Sequence, residues 1–167
     1  MKKVIILAGP GGVGKTTIAK LIEKECNYVF LDGDNQDTEF FPDGGQWLPE
    51  NSEQLRKAHN KILDSTKALT DSKKKVVVDY IVFGHYLEFF HAFSKVYGDD
   101  LQIVVLFPTQ VETIIRDRER ECWTAGKERI AEVYSEYENI KDDLGKDVFI
   151  DTSGQTPEGT LEFIKNT

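Results

Sequence analysis

Cysteine is scarce in this sequence, which contains Cys26 and Cys122 and no others among its 167 residues. The two lie far apart, and neither stands in a CxxC motif or at metal-ligand spacing from a histidine. Such isolated cysteines give no basis for a structural zinc site or a disulfide framework. We therefore expect two free thiols in a reducing compartment.

Long hydrophobic runs are absent as well, since no stretch approaches the roughly 20 apolar residues of a membrane-spanning helix. The apolar run at residues 4–8 follows Met1, Lys2 and Lys3 and superficially resembles a secretory signal. It is too short for that role and leads into a glycine-rich segment rather than a cleavage site. We therefore expect a cytoplasmic protein without a membrane partner.

Positive charge is also in deficit, because 21 lysines and arginines stand against 29 aspartates and glutamates, a net charge of −8. A nucleic-acid partner requires a basic footprint, so this balance argues against one, although a local basic site for one small anionic ligand is compatible with it. The simpler interpretation is that net acidity keeps the protein soluble. On either interpretation, we expect no nucleic-acid partner.

What the sequence does contain is an alternation of apolar and amphipathic segments, with 40% of the residues hydrophobic. This length and composition fit one domain with its own core, so we expect residues 1–167 to form a single domain. Short β-branched runs predict five buried strands, at residues 4–8, 28–31, 76–79, 103–107 and 147–150. Amphipathic periodicity predicts helices at residues 15–25, 53–70, 87–97, 110–121, 128–144 and 157–166.

Strands that alternate with helices predict an α/β fold with one doubly wound parallel sheet, covered by helices on both faces. The sheet should therefore form the middle layer of a three-layer α/β/α arrangement. Ligands bind to such sheets beyond the carboxyl ends of the strands, which is where the candidate motifs fall.

A glycine-rich segment after the first strand matches the phosphate-binding pattern G-x-x-x-x-G-K-[ST] in full at residues 9–16. Its glycines let successive backbone N–H groups point at one anion, and the helix N-terminus adds positive potential. Lys15 should contact the β- and γ-phosphates, Thr16 should ligate Mg²⁺, and Thr17 lies within reach of the α-phosphate. A chance glycine turn is the alternative, which the flanking strand and helix disfavour. The expected nucleotide-binding residues are Gly9, Gly11, Gly12, Val13, Gly14, Lys15, Thr16 and Thr17.

Two aspartates, Asp32 and Asp34, follow the second strand and are separated by Gly33. Carboxylates in this position can divide the work of phosphoryl transfer: one holds magnesium, and the other accepts the proton of a substrate hydroxyl. Gly33 leaves room for the substrate. An ordinary polar turn is the alternative, but the neighbouring phosphate loop favours the functional interpretation.

A third acidic residue, Asp79, ends the apolar run at residues 76–78 and has the form of a Walker-B acid. Such a residue holds magnesium or its waters opposite the threonine of the phosphate loop. We therefore expect Asp79 to share a magnesium site with Thr16.

Aromatic residues are concentrated near the same edge of the predicted sheet, namely Phe40, Phe41, Trp47, Tyr80, Phe83 and Tyr86. One interpretation is a substrate pocket with apolar walls and few polar anchors. The alternative is that most of these side chains form the core. His85 lies among them, and a structural histidine is favoured there over a proton shuttle.

The phosphate loop, followed by a strand that ends in Asp32 and Asp34, resembles the P-loop small-molecule kinases, among them shikimate kinase, gluconate kinase and adenylyl-sulfate kinase. The overall layout is most similar to chloramphenicol phosphotransferase, which shares the acidic-glycine segment at residues 43–45, a long helix and the third strand ending at Asp79. This resemblance implies the P-loop NTPase fold with a small lid, and ATP and Mg²⁺ as cofactors. It also implies that Asp34 is the general base and that Asp32 lies near the metal.

The resemblance places the lid at approximately residues 116–129, where arginines neutralise the transferring phosphoryl group. Arg118 and Arg120 are the expected lid arginines, and Gly126 could serve as a hinge. The alternative is a solvated helix face with ion pairs, which the alternating charges favour for Arg116.

The loop at residues 151–154 is implied to pack against the adenine, with Ser153 as the expected contact. A helix-capping loop at Thr156 and Pro157 is the alternative, and the two interpretations are compatible.

Together these features predict an ATP-dependent kinase that transfers the γ-phosphate to a hydroxyl group of a small molecule, either a metabolite or an antibiotic. The alternatives are a nucleoside or nucleotide kinase and a regulatory P-loop ATPase without a small-molecule acceptor. The guanine-specific N-K-x-D motif does not occur, and a monomer and a homodimer are both compatible with the sequence. The expected catalytic residues are Lys15, Asp34, Arg118 and Arg120. The expected metal-site residues are Thr16, Asp32 and Asp79.

Overall fold

The computed structural model describes residues 1–119 and 124–167, and these contain one sheet of five strands that all run parallel. The strands are Val4–Ala8 (β1), Val29–Asp32 (β2), Val76–Asp79 (β3), Leu101–Leu106 (β4) and Phe149–Ile150 (β5). Their order across the sheet is β2-β3-β1-β4-β5. The predicted α/β class with a five-stranded parallel sheet is confirmed.

Helices connect the strands. They are Lys15–Cys26 (α1), Gly33–Asp37 (α2), Ser52–Asp71 (α3), Tyr86–Tyr97 (α4), Gln110–Arg118 (α5), Lys127–Leu144 (α6) and Pro157–Asn166 (α7). Short 3₁₀ turns lie at Pro49–Asn51, Gly98–Asp100 and Lys146–Val148. Within the described residues, no helix is both long enough and apolar enough to cross a bilayer.

Two apolar clusters cover the two faces of the sheet, because successive side chains of a strand point to opposite faces. The cluster on one face joins β1 to α3, α4 and α6 through Val4, Ile6, Ile62, Phe90 and Tyr137. The cluster on the other face joins β1 to α1 and α7 through Ile5, Leu7, Ile22 and Ile164. The sheet is therefore the middle layer of the predicted three-layer α/β/α fold, and β1 is buried along its whole length.

The second strand leads directly into α2, a helix that the sequence analysis did not predict. Asp32 caps this helix, since its Oδ1 accepts a hydrogen bond from the backbone N–H of Asn35 at 2.9 Å. Aspartate is among the preferred N-cap residues, so the Asp-Gly-Asp segment forms a helical turn rather than an open loop. As a result, Asp34 lies in the first turn of α2.

Several strand boundaries also differ from the predicted ones by one or two residues. β2 spans Val29–Asp32 rather than residues 28–31, and β4 ends at Leu106 rather than at residue 107. β4 begins at Leu101 rather than at residue 103, and β5 is restricted to Phe149–Ile150 because Lys146–Val148 forms a 3₁₀ turn. The predicted end of the fourth long helix, at residue 121, lies outside the described residues. The carboxyl ends of the strands differ from the predicted ones by at most one residue, so the candidate motifs still follow the carboxyl ends of the strands.

Candidate active site

The phosphate loop lies at the carboxyl end of β1, directly before α1. Gly9, Gly12 and Gly14 have φ angles of 130°, 85° and 99°, a region that disfavours residues with a Cβ atom. A Cβ at Gly9 would also collide with the backbone oxygen of Leu106 on β4. The backbone therefore has the curled conformation expected of an anion-binding loop at a helix N-terminus.

Lys15 is buried at the start of α1, and its ammonium group extends across the loop. Nζ donates hydrogen bonds to the backbone oxygens of Gly9 at 3.0 Å and Pro10 at 2.9 Å. The side chain lines a cavity of about 300 Å³, which we call the phosphate cavity. The described residues that line it are Gly11, Gly12, Gly14, Lys15, Thr16, Thr17, Asp34, Ile81 and Arg116.

Thr16 and Asp79 come together at the edge of the phosphate cavity, because β3 pairs with β1 and Asp79 is its last residue. The Thr16 hydroxyl donates to Asp79 Oδ2 at 2.5 Å, and Asp79 is only 3% exposed. Magnesium takes oxygen ligands and usually only one or two from the protein, alongside waters and substrate phosphates. The pair therefore fits a Mg²⁺ ion beside phosphates, and its ligation of the metal stays a prediction.

Asp34 reaches the phosphate cavity from the first turn of α2. Its Oδ1 accepts a hydrogen bond from the backbone N–H of Ile81 at 3.3 Å. Burial raises the pKa of Asp34 to about 7; the positive charge of Lys15 opposes this shift and the negative charge of Asp79 adds to it. A carboxylate whose pKa lies near the working pH is suited to be a general base.

Asp32 occupies a different position, because its Oδ1 is bonded to the N–H of Asn35 at 2.9 Å and it is not among the described residues that line the phosphate cavity. The fully buried carboxylate of this region is Asp37, which accepts from the hydroxyl of Tyr80 at 3.2 Å and from Nε2 of Gln46 at 3.3 Å. Burial raises the pKa of Asp37 to about 6. A metal contact of Asp32 stays a prediction.

Arg116 is the arginine of α5 that lines the phosphate cavity. Its Nη1 donates to the backbone oxygen of Val13 at 3.4 Å, and its Nη2 donates to that of Thr152 at 3.2 Å. Its guanidinium also forms an ion pair with Glu112. The side chain thus connects the phosphate loop to the segment after β5.

Neither of the two arginines expected in the lid is among the described residues that line the phosphate cavity. Arg118 is exposed at the end of α5, and Arg120 lies outside the described residues, so their catalytic role stays a prediction. The alternating charges around Arg116 favour a solvated face with ion pairs, and Arg116 does pair with Glu112, yet it also lines the phosphate cavity. Thr113 and Asp117 are buried one turn apart, and this i, i+4 spacing marks the inner face of α5 that Arg116 borders.

A second cavity, of about 230 Å³, adjoins the phosphate loop on the side of α7, and we call it the α7 cavity. It brings Val13 of the loop next to residues that follow β5. The described residues that line it are Val13, Gly14, Thr17, Ile18, Leu106, Arg116, Thr152, Gln155, Pro157 and Thr160.

The loop after β5 contributes Thr152 rather than Ser153 to this cavity. Thr152 is 3% exposed, and its hydroxyl has no hydrogen-bond partner among the described residues. Ser153 Oγ instead accepts from the backbone N–H of Thr109 at 2.8 Å. Thr156 caps α7, since its Oγ1 accepts from the N–H of Gly159 at 3.1 Å, so the capping interpretation is confirmed. A nucleotide contact of Ser153 stays a prediction.

The region expected to form a lid is anchored by Asp117, which is 2% exposed. Its Oδ1 accepts from the backbone N–H of Ala125 and its Oδ2 from that of Gly126, both at 3.0 Å. Gly126 precedes α6 with a φ angle of 82°. The extent of a lid and its hinge stay predictions.

Tyr137 of α6 ties the phosphate loop to the segment after β3. The backbone N–H of Gly9 donates to the Tyr137 hydroxyl at 3.1 Å, and this hydroxyl donates to the backbone oxygen of Ile81 at 3.1 Å. The N–H of Ile81 in turn donates to Asp34, the candidate base. The fully buried Tyr137 hydroxyl therefore links the phosphate loop to the residue that holds Asp34. The helical spacing of the sequence marks Tyr137 only as a core position, so this contact could not be predicted.

A third cavity, of about 460 Å³, lies between the phosphate loop, the segment after β3 and α6, and we call it the aromatic cavity. Trp47 and Phe83 line it, with their ring centroids 6.3 Å apart. Tyr80 and Tyr86 are buried in the cluster that joins β1 to α3, α4 and α6. Phe41 is buried in a separate small cluster against α3. The pocket interpretation and the core interpretation therefore each describe part of the aromatic set.

His85 has the surroundings of a structural histidine. Its Nε2 lies 2.7 Å from the Ser52 hydroxyl, and its Nδ1 lies 3.5 Å from Arg56 Nη2. It is not among the described residues that line the phosphate cavity. These contacts join the start of α4 to the start of α3 and give no support to a proton shuttle.

Comparison with known proteins gives short sequence matches. A family model described as ATPase family associated with various cellular activities (AAA) matches residues 5–78, less than half of the chain. A shikimate kinase from Hahella chejuensis is 51% identical over 35 residues, which are 21% of this chain and 18% of that protein. An S-adenosylmethionine-dependent nucleotide dehydratase from Lacinutrix mariniflava is 30% identical over 101 residues, which are 58% of this chain and 21% of that protein. The matched parts thus span 18% and 21% of the lengths of these relatives.

Solved structures are similar over nearly the whole chain. A sugar kinase from Janibacter sp. has a TM-score of 0.72 at 15% identity, over 99% of this chain and 94% of that chain. Shikimate kinase from Acinetobacter baumannii has a TM-score of 0.66 at 20% identity, over 98% and 90%. Deoxyadenosine kinase from M. mycoides has a TM-score of 0.61 at 19% identity, over 99% and 98%. These similarities show that the chain has the P-loop NTPase fold and confirm, at the level of the fold, its resemblance to the P-loop small-molecule kinases.

Proposed function

We propose that the chain is an ATP-dependent kinase that transfers the γ-phosphate to a hydroxyl group of a small molecule, with Mg²⁺ as the metal. The observation that carries this proposal is the convergence of Lys15, the Thr16–Asp79 pair and Asp34 on one cavity. A phosphate loop and a metal site would serve any nucleotide hydrolase. A carboxylate beside them, whose pKa burial raises to about 7, is suited to accept the proton of an acceptor hydroxyl.

The nucleotide would lie along the phosphate loop. Backbone N–H groups of the loop and the Lys15 ammonium would hold the phosphates at the N-terminus of α1. The adjoining α7 cavity would take the base, with the buried Thr152 hydroxyl as a hydrogen-bonding group and Arg116 as one wall. When held by Thr16 and Asp79, Mg²⁺ would neutralise negative charge on the phosphate oxygens.

Asp34 accepts the proton of the acceptor hydroxyl as the hydroxyl oxygen forms its bond to the γ-phosphorus. The bond from that phosphorus to the bridging oxygen breaks, and this oxygen leaves with its electron pair as part of ADP. Lys15 stabilises the negative charge that develops on the phosphoryl oxygens, and a lid arginine assists it. Arg116 of α5 lines the phosphate cavity, and Arg118 and Arg120 stay the sequence-based candidates.

A nucleoside kinase is a second candidate, because deoxyadenosine kinase shares the fold over 99% of this chain and the aromatic cavity offers rings on which a base could stack. It differs from the first candidate only in the identity of the acceptor. We also propose that residues 1–167 act as one domain in the cytoplasm, with a lid at approximately residues 116–129.

The test is ADP release by the purified chain with ATP and Mg²⁺, in the presence and absence of sugars, nucleosides and other hydroxyl compounds. We expect release that depends on an acceptor and yields a phosphorylated product, and we expect Lys15→Ala to abolish it through loss of productive ATP binding. ADP release that no acceptor changes would instead indicate an ATPase. Unchanged ATP affinity and turnover in Lys15→Ala would contradict the assignment of the phosphate loop.

A further inference from the structure

The aromatic cavity borders the place where phosphoryl transfer would occur. It shares Gly11 and Ile81 with the phosphate cavity, so the two spaces meet along the loop and the segment after β3. The backbone N–H of Ile81 also holds Asp34 at 3.3 Å. A molecule in the aromatic cavity could therefore present a hydroxyl to Asp34. The volume of the aromatic cavity, about 460 Å³, lies in the range of about 300–1,000 Å³ that is usual for small-molecule pockets.

The walls of this cavity are mostly apolar, and one of them is held in an unusual backbone conformation. Trp47 lines the cavity and is 43% exposed, and Phe83, Ile130 and Val133 contribute further apolar surface. Val82 and Phe83 have φ angles of 79° and 61°. Residues other than glycine rarely have positive φ angles, and those that do are concentrated at functional sites.

A buried histidine supports this strained segment. His59 Nε2 lies 3.0 Å from the backbone oxygen of Val82, and burial lowers the pKa of His59 to about 4. The neutral ring can therefore donate its N–H to that oxygen and fix the segment that carries Phe83. The position of the aromatic wall is thus enforced by the fold.

The charges around the cavity are unsuited to an anion. Arg129 is the one cationic side chain among the described residues that line it, whereas Glu128 and Glu132 both line it as well. The Arg129 Nη1 atom lies 3.1 Å from Glu132 and 3.5 Å from Glu136. Its guanidinium also lies over the Trp47 ring, with Cζ 5.2 Å from the ring centroid.

Arg129 nevertheless keeps one polar group for an uncharged oxygen. Its Nη2 is buried and has no hydrogen-bond partner among the residues 1–119 and 124–167. The side chain as a whole is 17% exposed, so a small rotation of the guanidinium would let a carbonyl or hydroxyl oxygen accept from it. A carboxylate would gain the same bond but would lie close to the two glutamates of the lining, where like charges repel. The ion pair of Glu128 with Lys127, at 3.6 Å, is exposed and only partly offsets this repulsion.

We propose that the aromatic cavity is the acceptor site and that it selects an uncharged alcohol with a flat apolar face over acceptors that carry a carboxylate or a phosphate. The apolar face packs on Trp47 and Phe83, an uncharged oxygen accepts from Arg129, and Glu128 and Glu132 reject anions. That the bound alcohol is phosphorylated rests on the proposed function. The preference for an uncharged ligand can be measured by binding alone, without turnover.

The test uses two probes of nearly the same size and shape, the uncharged 4-(hydroxymethyl)benzamide and the anionic 4-(hydroxymethyl)benzoate. Their binding to the purified full chain is followed by saturation-transfer NMR at increasing probe concentration. We expect the amide to bind at least about tenfold more tightly than the carboxylate. The double variant Glu128→Gln/Glu132→Gln should reduce this ratio by about threefold or more, since it removes both negative charges of the lining. Trp47→Ala should weaken the binding of the amide.

Glu138→Gln is the matched control, because Glu138 lies on α6 and pairs with Lys141 but does not line the cavity. It should leave the ratio unchanged. Benzoate binding as tight as that of the amide, no binding of the amide, or an unchanged ratio in the double variant would each overturn the proposed selection. Amide preference without phosphoryl transfer to any alcohol would remove the kinase activity alone, and efficient transfer to the benzoate probe would remove the selection alone.

Discussion

Asp34 combines a position at the phosphate cavity with a pKa that burial raises to about 7. If it is the general base, Asp34→Asn should lower kcat by about 10²- to 10⁴-fold, because the amide cannot accept the hydroxyl proton. ATP binding should persist, since Lys15 and the loop backbone are unchanged. The measurement is kcat and the KM for ATP, with Asp64→Asn on the exposed surface of α3 as the control. Full activity in Asp34→Asn would remove it as the base.

The same residue predicts a pH dependence. The carboxylate is the form that accepts a proton, so kcat/KM for the acceptor should rise with pH through about 7 and level off above it. The profile reports the enzyme before the acceptor binds, and the rise should disappear in whatever residual activity Asp34→Asn retains. A wild-type profile that is flat between about pH 5.5 and 8.5 would be incompatible with this assignment.

Tyr137 illustrates how a single hydroxyl can position several elements, since it accepts from Gly9 and donates to Ile81. Tyr137→Phe leaves two buried backbone groups without their partner, so we expect the free energy of unfolding to fall by about 1–3 kcal/mol. We also expect a higher KM for ATP and a lower kcat, because the loop and the segment that holds Asp34 lose their common contact.

Tyr97→Phe serves as the control for this change, because its hydroxyl lies 3.2 Å from Thr70 Oγ1, away from the candidate site. It should affect stability without affecting the kinetics. A Tyr137→Phe variant that is less stable but has wild-type kcat and KM would show that the hydroxyl is only structural.

At the scale of whole elements, the carboxylate of Asp117 on α5 connects this helix to the residues directly before α6. Asp117 accepts from the N–H groups of Ala125 and Gly126, and Asp117→Asn would replace one acceptor oxygen by an amide donor. We expect hydrogen exchange at these two amides to accelerate about tenfold or more, because a lost buried hydrogen bond is worth about 1–3 kcal/mol. Asp142→Asn, at an exposed ion pair on α6, is the control. Unchanged exchange in Asp117→Asn would show that other contacts fix the start of α6.

Elements were predictable from sequence to the extent that local pattern determines them. The burial of β1 and the capping of α7 by Thr156 were both predictable. The apolar run and the capping residue are patterns of residues next to each other in the chain. The short helix α2 was missed, since the same Asp-Gly-Asp pattern suits either a turn or a capped helix. In the structure, the hydrogen bond from the N–H of Asn35 to Asp32 shows that the segment forms a capped helix.

At the scale of the whole molecule, strand order determines which motifs meet. Because β3 pairs with β1, Asp79 contacts Thr16 from a position 63 residues away in sequence. The motifs predicted this meeting through their known chemistry. The sequence could not show that Arg116, rather than Arg118, lines the phosphate cavity, because this depends on how α5 packs against the loop.

The central claim is that the γ-phosphate goes to an acceptor hydroxyl at this cavity. The most direct measurement is ³¹P NMR of ATP, Mg²⁺ and the purified chain with a mixture of uncharged alcohols and nucleosides, repeated with Asp34→Asn. We predict a phosphate-monoester resonance that grows as ADP forms and that is strongly reduced in the variant. Formation of inorganic phosphate alone, at the same rate with and without the alcohols, would contradict the claim.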